Sequence, residues 1–254
     1  MKILMVMLRK EWMECLRTYK VVSVLAIMVF IAIMSPLTAL MMPDIIKNSL
    51  PDLADKVTIP EATYFHSYTQ FFKNMNQIGL ILMILIFGGT LTAEFSKGTL
   101  LILLTKGLSR KYVVLSKWLM AVLLWSMAYI FSIVVHYMYT NYYFEPLGQQ
   151  RWISYGMVWQ FGVVLLSVII LASVVTKSYM GVLISILVLV VGLFLLNLNQ
   201  HIADYSPLYL IQNNMNMITG EIHITDIYQA VIVSVTVIIT SITSSIIVFN
   251  KSSI

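Results

Sequence analysis

Six apolar stretches, near residues 21–42, 75–93, 118–138, 154–175, 180–198 and 227–249, constrain this chain more than any other feature. Each is close to the roughly 20 residues that a helix rising about 1.5 Å per residue needs to cross a hydrocarbon core about 30 Å thick. None contains Asp, Glu, Lys or Arg. With 59% of residues hydrophobic and 11% charged, against about a quarter charged in soluble domains, a water-soluble globule is excluded. The expectation is an all-α membrane protein, one transmembrane domain over residues 1–254 with six spans. The first run is too long for the core of a signal peptide and is followed by Pro43 and Asp44 rather than a small-residue cleavage site, so it reads as a retained span.

Charge orients these spans. With the N-terminus placed inside, twelve Lys and Arg residues fall on the inner side, and Lys47, Lys56, Lys73 and Arg151 on the outer. Such an excess of Lys and Arg predicts a multi-pass cell-membrane protein with both termini cytoplasmic. Tyr137, Tyr139, Tyr142 and Tyr143 leaving the third span, and Trp152, Tyr155 and Trp159 entering the fourth, mark the outer headgroup level. The basic residues lie beside the spans rather than in one soluble patch, so the net charge of +5 points to the bilayer and not to nucleic acid. The single cysteine, Cys15, allows neither a disulfide framework nor a cysteine metal site.

The connections differ in kind. Residues 43–74 form a long outer connection carrying the aromatic cluster Tyr64, Phe65, Tyr68, Phe71 and Phe72, whereas 176–179 join spans four and five in a tight hairpin. Residues 199–226 hold the apolar run Pro207 to Ile211 between polar flanks, a segment able to re-enter the membrane from outside where protein shields it. Residues 1–20 form an amphipathic helix, with Met5, Leu8, Trp12, Cys15, Leu16 and Tyr19 on one face and Lys10, Glu14 and Arg17 on the other. It is suited to lie along the inner leaflet; the alternative is a plain positive flank for the first span.

Residues 94–117 form an inner connection with two helical pieces. Thr99 is placed to cap the first piece, Leu100, Leu101, Leu103 and Leu104 give it an apolar face, Gly107 ends it and Ser109 caps the next helix. By itself this is either a docking surface for a soluble partner or an ordinary positive loop.

The run Glu94, Phe95, Gly98, Thr99, Leu100, then Leu108-Ser109-Arg110, then Lys117 resembles the signature of the ABC-2 family of transporter permeases, and Arg9-Lys10-Glu11-Trp12, with Arg17 beyond, resembles their elbow helix. The resemblance implies an N-terminal elbow, six spans, and coupling helices between spans two and three that dock on a separate ATP-binding cassette ATPase. Glu94, Phe95, Gly98, Thr99, Leu100, Leu103, Leu104, Leu108, Ser109 and Arg110 are then the docking residues. It further implies two ATPase chains, which carry ATP and magnesium, and a second permease chain, identical or paralogous. Gly107 departs from the proline frequent in the family at that position.

The chain has no Gly-x-x-x-x-Gly-Lys-Ser/Thr with which to cradle nucleotide phosphates, no His-Glu-x-x-His and no Gly-x-Ser-x-Gly. No catalytic residue, metal ligand or bound cofactor is therefore assigned to it. His136, near the outer end of the third span, is the one ionisable side chain near lipid depth apart from tyrosines, which makes a proton-driven transporter a weak reading. Ser35, Thr38, Gly88, Thr90, Ser185 and Asn197 are the candidates for a transport path, uncharged and so suited to hydrophobic or amphipathic cargo, with drugs, lipids and amphipathic peptide toxins all open. The expected function is the permease subunit of an ATP-driven exporter. The alternative is a non-transporting immunity or scaffold protein that binds toxic peptides. A composition rich in Ile, Lys, Asn and Met suggests a low-GC Gram-positive origin.

Overall fold

The computed structural model describes residues 2–49, 61–100, 105, 107–145 and 148–252; Leu103 and Leu104, expected to dock, lie outside these. Helix α1 (Lys2–Arg17) lies against one end of a bundle and turns at Tyr19, whose φ of 56° is left-handed, into α2 (Lys20–Ser49). There follow α3 (Tyr64–Asn74), a π-helical turn (Met75–Gly79), α4 (Leu80–Ser96), α5 (Arg110–Tyr143), α6 (Arg151–Thr176) and α7 (Tyr179–Leu196). Three short helices, α8 (Gln200–Ala203), α9 (Leu208–Gln212) and α10 (Asn214–Thr219), cross the far end before α11 (Ile224–Lys251) returns. Six of these units are long and apolar enough to cross a membrane, as expected, with α3 and α4 counting as one.

The span helices overrun their apolar cores. The continuous α3–α4 unit has 33 residues and α5 has 34, roughly 50 Å each at 1.5 Å per residue, against a hydrocarbon core of about 30 Å. The aromatic cluster assigned above to the outer connection is instead helical and continuous with the second span. Tyr68, Phe71, Phe72 and Met75 recur at spacings of three and four and are fully buried, so packing carries the helix through the polar dip at Lys73, Asn74, Asn76 and Gln77. Helix α2 likewise runs on through Pro36 and Pro43 to Ser49, beyond the end expected near Met42. Thr63 starts α3, donating its backbone N–H to Nδ1 of His66.

Helix α6 is the axis of the molecule. Its residues from Phe161 to Ile170 are buried on every face, whereas α7 and α11 turn Leu187, Val188, Val191, Ile239 and Ile247 outward. An apolar exterior on that scale is solvated by lipid or by another apolar chain rather than by water. Helices α5 and α6 are joined by a ladder of polar handles on large rings. Trp118 donates to Ser167 Oγ (2.9 Å), Trp125 to the Trp159 carbonyl (3.1 Å), Tyr129 to the Tyr155 carbonyl (3.0 Å) and Trp159 to Ser126 Oγ (2.9 Å). Trp125 and Tyr129 are fully buried, and the partner found by each N–H or O–H is the condition for burying such groups away from water. At the far end His136 is buried between α3, α5 and α6, stacked on Phe71, with Nδ1 paired to Tyr155 OH and Nε2 near Ser67 and Thr140. That placement makes it a joint of three elements.

Gly162 is where α6 admits the ladder: a Cβ there would fall 2.5 Å from the Trp125 ring. Gly162→Ala is expected to destabilise the detergent-solubilised protein by about 1–3 kcal/mol through overpacking. Thermal unfolding of the purified chain checks this, and the cost of Gly162→Ala should be smaller when measured against Trp125→Leu than against the native chain.

Candidate functional site at the basic end

The end of the bundle that carries both termini holds a knot of charge. Helix α1 turns Met7, Glu11 and Cys15 into the bundle, with Leu8 and Trp12 half-buried, while Met5, Leu16 and Tyr19, expected on the same apolar face, are exposed. The apolar arc of the helix is thus divided between the bundle and its surroundings, as suits an element at a membrane interface. Arg9 and Arg17 are exposed.

Glu11, on the buried side, meets Lys117 of α5. Lys117 is fully buried, its Nζ 3.1 Å from both Glu11 carboxylate oxygens and 2.9 Å from Glu94 Oε1 at the end of α4. Lys10 closes the group from the rim, 2.5 Å from Glu94 Oε1, 3.0 Å from Glu11 and 3.4 Å from Glu14. Burial disfavours the Lys10 ammonium, but its hydrogen bond to Glu94 and the charge of Glu11 and Glu94 outweigh that and hold its pKa above the ordinary lysine range. The three carboxylates lie within 4.8 Å of one another, and the two lysines supply the countercharge. Among the described residues Glu94 Oε2 meets no hydrogen-bond partner.

Beneath the charges, Met7, Leu91, Leu100, Val113, Val114, Ile170, Val174 and Phe249 form a buried apolar cluster joining α1, α4, α5, α6 and α11, with Phe95 and Leu108 packed against it. Arg110 opens α5 and clasps the end of α11, donating to the carbonyls of Phe249, Asn250 (3.2 Å) and Ser252 (2.7 Å). A guanidinium on the last carbonyls of a helix satisfies orphan acceptors and meets the negative end of its dipole.

The loop between α4 and α5 is bracketed by Gly98 (φ 66°) and Gly107 (φ 82°), both in the left-handed region that suits glycine. Thr99 is helical, with Oγ1 directed back to the Glu94 carbonyl (3.4 Å) rather than capping a new helix, and Ser109 occupies the N-cap position of α5 without a side-chain cap bond. Of the residues proposed for docking, Gly98, Thr99 and Ser109 are exposed and Phe95, Leu108 and Arg110 are half-buried. Glu94 and Leu100 are buried and root the loop in the bundle.

The candidate path residues are not brought together. Ser35 Oγ donates to the Ile31 carbonyl and takes a hydrogen from Asn74; Ser185 donates to the Gly181 carbonyl. Gly88 lies against the ring of Tyr179, whose hydroxyl reaches the Leu85 carbonyl, so it serves the α4–α7 contact. Thr90 is buried and Thr38 half-buried, in different helices, and Asn197 sits at the far end bonded to Gln212. The sequence pattern did not reveal the Glu11–Lys117 pair, since Lys117 counted there only as one of the inner-side charges and as the last residue of the signature stretch. The available signal was that Glu94 and Lys117 open and close the signature stretch; they are its two ends, in contact.

Residues 5–253, nearly the whole chain, match the ABC-2 family transporter protein model. The chain belongs to the ABC-2 family. That family is one of membrane permease components of ABC transporters. The permease is also similar to the uncharacterized transmembrane protein YxlG of Bacillus subtilis (strain 168), at 26% identity over 154 residues, which is 59% of each chain. The match thus spans little more than half the length of that relative.

Removing one partner of a buried ion pair leaves an uncompensated charge, which costs about 3–5 kcal/mol. In the permease, Lys117→Met is therefore expected to lower thermal stability by that amount. Combining it with Glu11→Gln should recover part of the loss, and thermal unfolding of the single and double variants measures the coupling.

Proposed function

We propose that this chain is the transmembrane subunit of an ATP-driven exporter, with its basic end in the cytoplasm and both termini there. The observation that carries the reading is the construction of the α4–α5 loop. It presents an exposed surface around Gly98, Thr99 and Ser109, while its roots at Glu94, Leu100 and Arg110 are tied to α1, α5 and α11. A push on that surface by a docked ATPase would be delivered to three helices at once. Two ATPase chains binding ATP and magnesium and a second permease chain, identical or paralogous, complete the assembly. The cargo is hydrophobic or amphipathic, an amphipathic peptide being the specific form we favour, because uncharged spans offer no partner for a bare ion.

The burial of Glu94 decides which residues test this reading. Reversing its charge would disrupt the ion knot whether or not an ATPase docks. Lys97 and Lys111 are exposed at the two roots of the loop. Lys97→Glu with Lys111→Glu is expected to leave thermal stability unchanged while reducing co-purification with the ATPase and permease-dependent ATP hydrolysis about tenfold, equivalent to about 1.4 kcal/mol of lost binding. If that variant and Leu108→Asp both retain full association and stimulation, docking at this loop is refuted.

A further inference from the structure

Helix α7 is seated firmly at one end only. Toward the basic end the Tyr179 ring lies flat over Gly88 and Gly89 of α4, where a Cβ would come within 3.4 and 3.6 Å of it, and the Tyr179 hydroxyl donates to the Leu85 carbonyl (3.1 Å). Val182 lies against Gly88 as well, and Val182 and Ile186 are the buried residues of the helix. Beyond Ile186 none of its residues is buried. In that half Leu189 and Leu193 line a cavity of about 300 Å³ shared with α6 and α11, and Val190 and Phe194 line one of about 450 Å³ shared with α4 and α6. At its far end α7 is tied to the bundle by an exposed hydrogen bond from Asn197 to Gln212 (3.0 Å). Of the α7 span 11% is buried, against 78% of the α6 span.

Interdigitated side chains resist displacement, because shifting them opens voids and forces poor rotamers. A segment with few buried contacts moves at a small cost in free energy. The far half of α7 is in the second condition and its seat in neither, since a flat ring resting on two glycines keeps its contact while it tilts. Hinges of this kind concentrate the motion at a few residues near the end of an element. We infer that α7 is a hinged arm that pivots on the Tyr179 seat, its far end moving between α4 and α11 so that one cavity narrows as the other widens. The two cavities are then two sides of one movement, each closed by the helix itself. With 18 residues the arm is about 27 Å long, so moving its tip by one side-chain width, about 5 Å, takes a tilt of about 10°. Such a swing opens and closes the gap between α7 and its neighbours at the far end without repacking α5 and α6. The inference rests on packing alone and is independent of ATPase docking.

The test measures distances between paired spin labels by pulsed electron resonance, on the purified full chain in nanodiscs without ATPase, in a Cys15→Ala background. Labelled chain is diluted into unlabelled chain so that each disc holds at most one labelled copy. One pair joins the far ends of α7 and α11, at Leu195→Cys and Tyr228→Cys, and the other their basic ends, at Met180→Cys and Ile247→Cys; all four positions are exposed. The far pair is expected to give a distribution broader than the basic pair by about 5 Å, the displacement of the tip. Val190→Trp, which fills the gap beside α4, should shorten the far distance, and Leu189→Trp, which fills the gap beside α11, should lengthen it, with the basic pair unmoved in both. Tyr179→Ala, which removes the ring from its seat, should broaden the basic pair. Far and basic pairs of equal width in the native chain overturn the inference without recourse to any core variant. So do tryptophan variants, shown by thermal unfolding to be folded, that shift the far pair in one direction or not at all. A folded Tyr179→Ala chain whose basic pair stays narrow overturns the pivot.

Discussion

Lys117 has no exposed surface, and its ammonium is tolerable there because Glu11 reaches it from α1 and Glu94 from the end of α4. An unpaired ammonium in a low-dielectric interior carries a penalty of several kcal/mol, so the three side chains stand or fall together. The location of α1 follows from this pairing: the helix that carries Glu11 is held against α5 at one rotation about its axis. The same pairing roots the α4–α5 loop, since Glu94 is the last buried residue before the chain turns at Gly98. Arg110 repeats the device a few residues on, tying the loop's other root to the end of α11.

The rest of the architecture is graded along the bundle axis by what each depth can solvate. Where water and headgroups are near, the joints are charged. In the middle they are tryptophan and tyrosine handles on backbone carbonyls and serines, strong in an apolar medium and free of net charge. At the far end they are the imidazole of His136 and its hydroxyl partners, enclosed by Phe71, Tyr68 and Tyr155. Helices α3–α4 and α5, each longer than the hydrocarbon core requires, connect these levels. A displacement at the charged end therefore has rigid elements through which to reach the aromatic end. Helix α7 stands apart from this frame, with one cavity between it, α4 and α6 and another between it, α6 and α11.

The six spans were legible because hydropathy over about 20 residues is a one-dimensional quantity, and a bilayer makes it decisive. The helix before the first span, the tight turn between α6 and α7 and the glycine turn at Gly107 were legible too, since each rests on local pattern or local backbone preference. The extent of the second span was not. Lys73, Asn74, Asn76 and Gln77 interrupt the hydropathy, and only the partners packed on Tyr68, Phe71 and Phe72 keep the helix continuous through them. The path residues were chosen as polar groups within apolar segments, but several of those hydroxyls are satisfied by carbonyls of their own helix or serve close packing, which composition cannot separate from a lining role.

By itself the sequence determined the medium, the number of crossings and the family to which the chain belongs, because those depend on runs of residues read in order. The tertiary structure decided what Lys117 does. A lysine beside an apolar run reads as a solvated flank until two acids, one 106 residues away and the other at the end of a different helix, are brought to it. Whether a charge is an ornament of the surface or the joint of a bundle depends on distances of about 3 Å between residues remote in sequence, and those exist only once the chain has folded.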